Sequence, residues 1–187
     1  MGNKVEFGIS QLHVGTYTVT DQGEVVLGTP YHQPGAISFS PEESSNLNNF
    51  YADNVVYWAG YSGGTFEGDL EVAKFWDDFK IQFLGYKKTA DGGFANVKGA
   101  KKPNVYIAFQ VEGDAEARRI IMYNCALGVI KREYATIEEN KTPVTESLGV
   151  TCTGDNASGA TVVSYTPDMA GYATVFTDPQ APEFESE

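Results

Sequence analysis

A run of alternating side chains between residues 65 and 72 constrains the fold of this chain more than any other feature. Polar and acidic residues alternate there with apolar residues and one glycine. Successive side chains of a β-strand point to opposite faces of its sheet, so the pattern predicts a strand with one apolar and one acidic face. The acidic face would carry Glu67, Asp69 and Glu71. Such a face repels phosphate, although any strand with one solvated face shows the same alternation.

The charge of the chain argues against binding to a nucleic acid backbone. The 187 residues include 13 Lys and Arg against 25 Asp and Glu, which gives a formal net charge of -12. Attraction to phosphates needs clustered basic residues instead. The length suits one domain with its own core. Abundant Gly, Tyr and Phe, with Thr and Val in short runs between turn-forming residues, predict a mainly β fold.

The first residues and the cysteine count indicate a reducing compartment. No basic region followed by an apolar run opens the chain, and no eighteen apolar residues run together. We therefore expect a protein that stays in the cytosol unless it is exported with something larger, and that makes no membrane contact. Cys125 and Cys152 are then expected to be buried free thiols. Two histidines, without the spacings typical of zinc ligands, predict no metal site and no cofactor.

The turn-forming residues divide the chain into short predicted elements. Strands are predicted over residues 36–41, 50–59, 65–73, 104–112, 117–125, 128–136, 144–153, 160–165 and 172–177. The second of these is either one strand or a pair broken at Asp53-Asn54. Glycines 60, 63 and 64 predict a turn after it, so we expect it to pair with the third as a hairpin. Phenylalanines at 75, 79 and 83 predict one helix over residues 74–84, which Gly85 would end.

Composition also suggests how the chain is divided. Residues 1–34 carry many Gly and Pro between short runs, which predicts an N-terminal arm with one or two short strands. Residues 35–178 form the predicted β domain. Residues 179–187 are acidic and contain proline, so we expect a flexible tail.

Basic residues concentrate around a predicted hairpin over residues 86–97 that turns at Asp91-Gly92-Gly93. Five of the 13 lie in or beside it: Lys87, Lys88, Lys98, Lys101 and Lys102. This segment is either a solvated loop or a protrusion that meets an acidic surface on a neighbouring copy. Arg118 and Arg119 either form an interface ion pair or belong to a strand with one arginine exposed and one paired.

One motif has the spacing of a catalytic serine site. Gly60-Tyr61-Ser62-Gly63-Gly64 matches a nucleophile elbow, in which a helix starts directly after the serine and a histidine follows downstream. Here two glycines and a strand follow, and both histidines, His13 and His32, lie upstream. We therefore predict no enzymatic activity.

Six separated stretches between about residue 36 and residue 153 keep a common order and spacing. They are Phe50-Tyr51-Ala52-Asp53-Asn54 with Tyr57, Gly68-x-Leu70-Glu71-Val72-Ala73, Phe83-Leu84-Gly85, Phe109-x-Val111-Glu112-Gly113-Asp114 followed by Arg118-Arg119, Tyr123-Asn124-Cys125, and Thr145-Glu146-Ser147-Leu148. Together they resemble the major tail protein family of long-tailed bacteriophages, the siphophage tail tube proteins. Residues 1–34 and those after 153 match that family only loosely.

The resemblance implies two packed antiparallel sheets, a β-sandwich or barrel with one flanking helix. It also implies hexameric rings that stack into a tube within the virion tail, assembled in the bacterial cytoplasm. The tube would contact a tail terminator, a tape measure protein and baseplate proteins, while DNA passes through without tight binding. Glu67, Asp69 and Glu71 become candidates for the channel lining, unless the opposite sheet lines it. The lysines near the hairpin, Arg118 and Arg119 become candidates for contacts between subunits.

A different class of protein fits part of the same sequence. Tyr57, Trp58 and Tyr61 offer aromatic surfaces on a predicted strand. A monomeric β-sandwich that binds carbohydrate or another ligand uses such a platform. The two hypotheses differ in whether the purified protein forms rings and tubes.

Overall fold

The structure is a computed structural model that describes residues 8–52, 55–113, 116–134 and 143–184, with the backbone alone for residues 45–62. Twelve strands are described in it: β1 Gly8–Val19, β2 Val25–Leu27, β3 Tyr31–His32, β4 Ala36–Phe39, β5 Glu42–Ala52, β6 Val55–Val72, β7 Lys87–Lys88, β8 Phe94–Ala95, β9 Asn104–Glu112, β10 Arg119–Arg132, β11 Glu146–Cys152 and β12 Val162–Tyr165. The helices are α1 Asp77–Leu84 and a short 3-10 helix, Ala170–Ala173.

Ten strands form one antiparallel sheet. Its main path is β2-β1-β9-β10-β11-β6-β4, with β3 beside β1, β5 beside β6 and β12 beside β10. The second sheet is the two-stranded pair of β7 and β8. The predicted mainly β class, with two antiparallel sheets and one flanking α-helix, is thereby confirmed.

Strand β1 is longer than the sequence predicted. We expected one or two short strands in residues 1–34, but β1 has twelve residues and pairs with β9 inside the sheet. Leu12 and Val14 are buried in the main core. Gly15 leaves room for the ring of Tyr106, because a Cβ there would lie 2.3 Å from the tyrosine oxygen. The predicted division of the chain at residues 34 and 178 stays a prediction.

Strand β9 and residues 121–125 of β10 are buried on both faces. Val105 and Ile107 face the main core, which α1 covers, while Tyr106 and Ala108 face a second cluster on the other side. That second cluster is covered by residues 170–180, which we call the C-terminal strap; its Val175 is buried there. The strap region was predicted as a strand over residues 172–177, and this prediction is wrong, because turns and the 3-10 helix occupy it.

The cysteines are buried as expected, but they are not free thiols. Cys125 on β10 and Cys152 on β11 are cross-strand partners with Cα atoms 3.8 Å apart, and a disulfide joins them. The bulge at Asn124, which has a φ of 52°, shifts the register of β10 so that Cys125 follows Met122 into the main core. Compartment and spacing in the sequence could not show this pairing.

Helix α1 matches its sequence signal closely. Phe79, Phe83 and Leu84 are buried, and Phe75 just before the helix is buried with them. The rings of Phe75 and Phe79 stack with centroids 5.0 Å apart. Gly85 ends the helix in the left-handed conformation, as predicted.

The largest departure from the predicted strands concerns β6. It runs without a break through glycines 60, 63 and 64, where we expected a turn. Its hairpin partner is β5, not a strand formed by its own first half. The predicted break at Asp53-Asn54 lies outside the described residues. Strand β10 likewise joins the two strands predicted over residues 117–125 and 128–136, as far as the structure describes them.

Candidate functional site

The acidic row predicted from the sequence lies on one face of β6. Glu67 and Asp69 are exposed and Glu71 is half-buried, while Leu70 and Val72 between and beside them are fully buried. Strand β6 pairs with β11 on one edge and with β4 and β5 on the other. The acidic row therefore lies inside the sheet surface and not at its edge.

A fourth carboxylate extends this row across the neighbouring strand. Glu42 on β5 is the cross-strand partner of Glu67. Like charges directly opposite each other on one face destabilise a strand pair. The repeated carboxylates thus cost some stability. We name Glu42, Glu67, Asp69 and Glu71 the acidic face.

Hydrogen bonds fix one end of the acidic face and leave the other open. Glu71 accepts hydrogen bonds from the hydroxyls of Thr145, at 2.5 Å, and Ser38, at 3.3 Å. Asp69 lies 3.2 Å from the ammonium of Lys131, and both side chains are more than 60% exposed. Such an exposed pair contributes little stability. One ammonium beside four carboxylates leaves the face acidic overall.

The surface beside the carboxylates is an open depression floored by backbone. Gly68, Gly128 and Gly149, on three adjacent strands, line it together with the carboxylates of Glu67 and Asp69. A Cβ on Gly149 would find Asp69 as its nearest neighbour, 3.9 Å away, so this glycine opens onto the acidic side. The depression widens the acidic face without adding any cation.

The predicted basic hairpin is formed by β7 and β8. Its exposed lysines are Lys87, Lys88, Lys98 and Lys101. Lys102 is different, because its ammonium donates to the backbone carbonyls of Leu127 and Gly128 at 3.3 and 2.5 Å. Burial lowers the pKa of Lys102. Four lysines are therefore exposed, with Lys88 over the ring of Phe94, while Lys102 fixes the segment to β10.

The two arginines have different surroundings. Arg118 lies 2.9 Å from the carboxylate of Glu116. The guanidinium of Arg119 lies over the rings of Tyr172 and Phe176 and donates to the carbonyl of Tyr172 at 2.6 Å. Arg119 is thus bound within its own protomer. The sequence did not reveal these partners, because residues 172–177 were predicted to form a strand.

The remaining candidates from the sequence are aromatic residues and a serine on β6, and the two histidines, His13 on β1 and His32 on β3. Tyr57, Trp58, Tyr61 and Ser62 lie on β6 where side chains are outside the described part, so the aromatic platform stays a prediction. Across the described ranges, no three His, Cys, Asp or Glu side chains are grouped to hold a metal ion. No helix in those ranges has the length and apolar character to cross a membrane.

The protein is mainly β, and its most distinctive surface is the negatively charged acidic face. A family model for phage tail tube proteins matches residues 2–123, well over half of the chain. The chain therefore belongs to the phage tail tube protein family, and it is a structural component of a tail. No curated protein sequence matches it.

Solved structures with a similar fold come from phage tail-like particles. One is the tube-terminating cap of the anti-feeding prophage, with 10% identity, a TM-score of 0.48, and coverage of 87% of this chain and 93% of that one. Another is a sheath-tube complex of an extracellular contractile injection system, PVC, with 10% identity, a TM-score of 0.47, and coverage of 87% and 94%. The anti-feeding prophage baseplate has 7% identity, a TM-score of 0.41, and coverage of 90% and 100%. Similarity at this level carries no functional argument.

Proposed function

We propose that this protein is a non-enzymatic tail tube subunit whose copies close into hexameric rings and stack around a channel lined by the acidic face. The observation that carries this proposal is the row of Glu67, Asp69 and Glu71 on one sheet surface, with Glu42 beside it. The tube would form part of the virion tail, assembled in the host cytoplasm. It would contact a tail terminator, a tape measure protein and baseplate proteins.

Electrostatics explains why an acidic lining suits DNA in transit. Carboxylates repel phosphate over about one Debye length, roughly 8–10 Å at physiological salt, so duplex DNA would stay off the wall. DNA binding would instead need clustered lysine and arginine. DNA that is not held can slide.

The same charge opposes assembly. Six copies of -12 give -72 for each ring. Apolar contact area and local ion pairs between subunits must offset this repulsion. We propose that the exposed lysines of the hairpin, Lys87, Lys88, Lys98 and Lys101, with Lys102 fixing the segment, contact carboxylates of a neighbouring copy. Arg118 and Arg119 belong to the same proposal, although both are already engaged within the protomer.

Electron microscopy of the purified protein at high concentration tests the assembly. We expect rings or tubes, and a reconstruction should place Glu67, Asp69 and Glu71 on the channel wall. Finding these side chains between subunits or on the outer wall would refute the lining. A protein that remains monomeric at millimolar concentration would instead favour the ligand-binding alternative, with Tyr57, Trp58 and Tyr61 as its platform.

A charge-reversal experiment tests the channel independently. Tubes of the triple variant Glu67→Lys, Asp69→Lys and Glu71→Lys should retain duplex DNA on sedimentation, whereas wild-type tubes should not. The matched control reverses Asp21 and Glu24, two exposed acids in the turn between β1 and β2. Equal DNA retention by the triple variant and the control would contradict the proposed lining.

Removal of the basic segment tests the subunit contacts. Deletion of residues 86–102 should leave a soluble folded monomer that does not polymerise. A milder variant changes Lys87, Lys88, Lys98 and Lys101 to Glu, with Lys74→Glu, an exposed lysine before α1, as its control. Normal tubes from the quadruple variant would exclude these contacts. Added salt should promote assembly if repulsion dominates, and inhibit it if ion pairs do.

A further inference from the structure

A continuous stack of planar side chains holds the C-terminal strap against the sheet. The ring of His32 on β3 stacks on His13 of β1, with centroids 4.9 Å apart. His13 in turn stacks on Phe176 of the strap at 4.6 Å and 16°. The guanidinium carbon of Arg119 lies 4.5 Å from the centroid of Phe176 and 3.9 Å from that of Tyr172. The stack thus connects β1, β3 and β10 to the strap, with His13 and Arg119 both in contact with Phe176.

The strap has other attachments, among them the buried Pro179 and the packing of Gly171 against Tyr165. Val175 is buried among the tyrosines of the second cluster. The hydroxyl of Tyr123 donates to the carbonyl of Gln180 at 3.0 Å, and the hydroxyl of Tyr172 donates to the carbonyl of Ala117 at 2.9 Å. The strap contains no strand that pairs with the sheet. Side-chain packing and a few hydrogen bonds therefore hold the strap closed, and the stack is one of these attachments.

Both histidines of the chain lie in this stack. Burial lowers the pKa of His13, its hydrogen bond to the carbonyl of Gln11 raises it, and the charges of His32 and Arg119 lower it further. On β9, the cross-strand partner of His13 is the uncharged Ala108. On the strap, it meets the uncharged Phe176. A proton on His13 thus adds a cation beside two basic groups, and the charges that act on it in the described structure include no carboxylate.

We propose that the strap is a pH-sensitive clasp, held closed over the second cluster while His13 is neutral and released when His13 is protonated beside His32 and Arg119. A state that binds the proton poorly loses population as pH falls. The closed state holds the pKa of His13 below its ordinary value of about 6.5. Opening of the strap is therefore favoured as pH falls through that value. Release uncovers Tyr106, Ile121 and Tyr123.

Hydrogen exchange of the full chain measures this opening. Protection of the strap, normalised to the intrinsic exchange rate at each pH, should fall several-fold between about pH 7.5 and about pH 5, because the open state binds a proton on His13 more readily than the closed state does. Protection of β9, residues Asn104–Glu112, should stay unchanged, which separates strap release from global unfolding. Unchanged strap protection down to about pH 5 would overturn the proposal.

Three variants separate protonation from packing. His13→Phe keeps an aromatic ring in the stack and cannot be protonated, so its strap should stay protected at low pH. Phe176→Leu removes the strap ring, so protection should fall at every pH and the pKa of His13 should rise. Phe184→Ala, at a side chain that is 72% exposed, is the matched control and should behave as wild type.

Two results from these variants would contradict the clasp. One is a strap in His13→Phe that opens with falling pH as the wild-type strap does. The other is an unchanged His13 titration in Phe176→Leu, followed by the NMR signals of the two imidazoles. This second measurement decides the question even if His13→Phe fails to fold.

Discussion

The carboxylate of Glu146 accepts a hydrogen bond from the backbone N–H of Phe75 at 2.7 Å. Its other oxygen lies 3.1 Å from the guanidinium of Arg132, and the glutamate side chain is only 3% exposed. Glu146 begins β11, and Phe75 lies between β6 and α1. One buried carboxylate thus sets where the chain leaves the sheet and enters the helix.

We expect Glu146→Ala to lower the free energy of unfolding by about 2–3 kcal/mol. The change leaves a buried N–H and a partly buried guanidinium without their acceptor. Urea denaturation measures the loss. Glu146→Gln, which keeps one acceptor oxygen, should lose less, and the exposed Glu133→Ala should stay within about 0.5 kcal/mol of wild type. Equal stabilities of Glu146→Ala and Glu133→Ala would contradict this role.

Two glycines on adjacent strands should respond differently to an added methyl group. A Cβ on Gly68 would lie 2.2 Å from the carbonyl oxygen of Ser40, whereas a Cβ on Gly149 would meet its nearest atom at 3.9 Å. Gly68→Ala must therefore push backbone apart, at a cost of about 1–3 kcal/mol. Gly149→Ala should be nearly neutral. Similar melting temperatures for the two variants would show that the segment before β5 can yield.

The Cys125–Cys152 disulfide should contribute about 3.5 kcal/mol to stability. Its sequence separation of 27 residues sets the loop that the bond closes in the unfolded chain. Reduction should shift the urea midpoint of wild type by an amount that matches this value. The double variant Cys125→Ser, Cys152→Ser should start at the reduced midpoint and be insensitive to reductant. A wild-type midpoint that ignores reduction would contradict the bond.

Asp155 should contribute a stability that depends on acid pH. Burial alone raises the pKa of its carboxyl, but hydrogen bonds from Ser158, Tyr17 and the Ala157 N–H outweigh this and hold the pKa below its usual range. A carboxyl whose folded-state pKa is depressed stabilises the fold above its unfolded pKa, near 4. This stability is lost as pH falls through the folded value.

Asp155→Asn should therefore be less stable than wild type at about pH 7, by about 1–2 kcal/mol, with a gap that narrows towards about pH 3. Urea denaturation at both pH values provides the comparison. Asp21→Asn, in an exposed turn, should track wild type throughout. A gap that stays constant across this range would assign the effect of Asp155 to packing and not to its charge.

The elements with a strong local sequence pattern were predicted correctly. Strand β9 follows its alternating pattern from Asn104 to Glu112, and α1 follows its phenylalanine spacing to Gly85. The acidic row on β6 was also visible, because a period of two fixes which side chains share a face. These signals depend on residues close together in the chain.

Features that depend on distant partners were missed. Glycines 60, 63 and 64 suggested a turn, but β5 supplies a pairing partner along this part of β6 and keeps it extended. The opposition of Cys125 and Cys152 depends on register shifts in β10. The strap residues Tyr172 and Phe176 have strand-forming propensity, yet they form no strand, and their rings pack on Arg119 and His13. Tertiary contacts outweigh propensity at each of these places.

The pairing of β1 with β9 also affects how the molecule is made. Val14 lies opposite Ile107, so the ribosome must add roughly 90 further residues, over about 5–20 s of translation, before the partner exists. During that interval the apolar side chains of Leu12 and Val14 have no sheet to cover them. Nascent chains in this condition are the ones that chaperones retain and that aggregate when synthesis outpaces folding. Slow expression at lower temperature should consequently yield more soluble subunit than rapid expression at higher temperature.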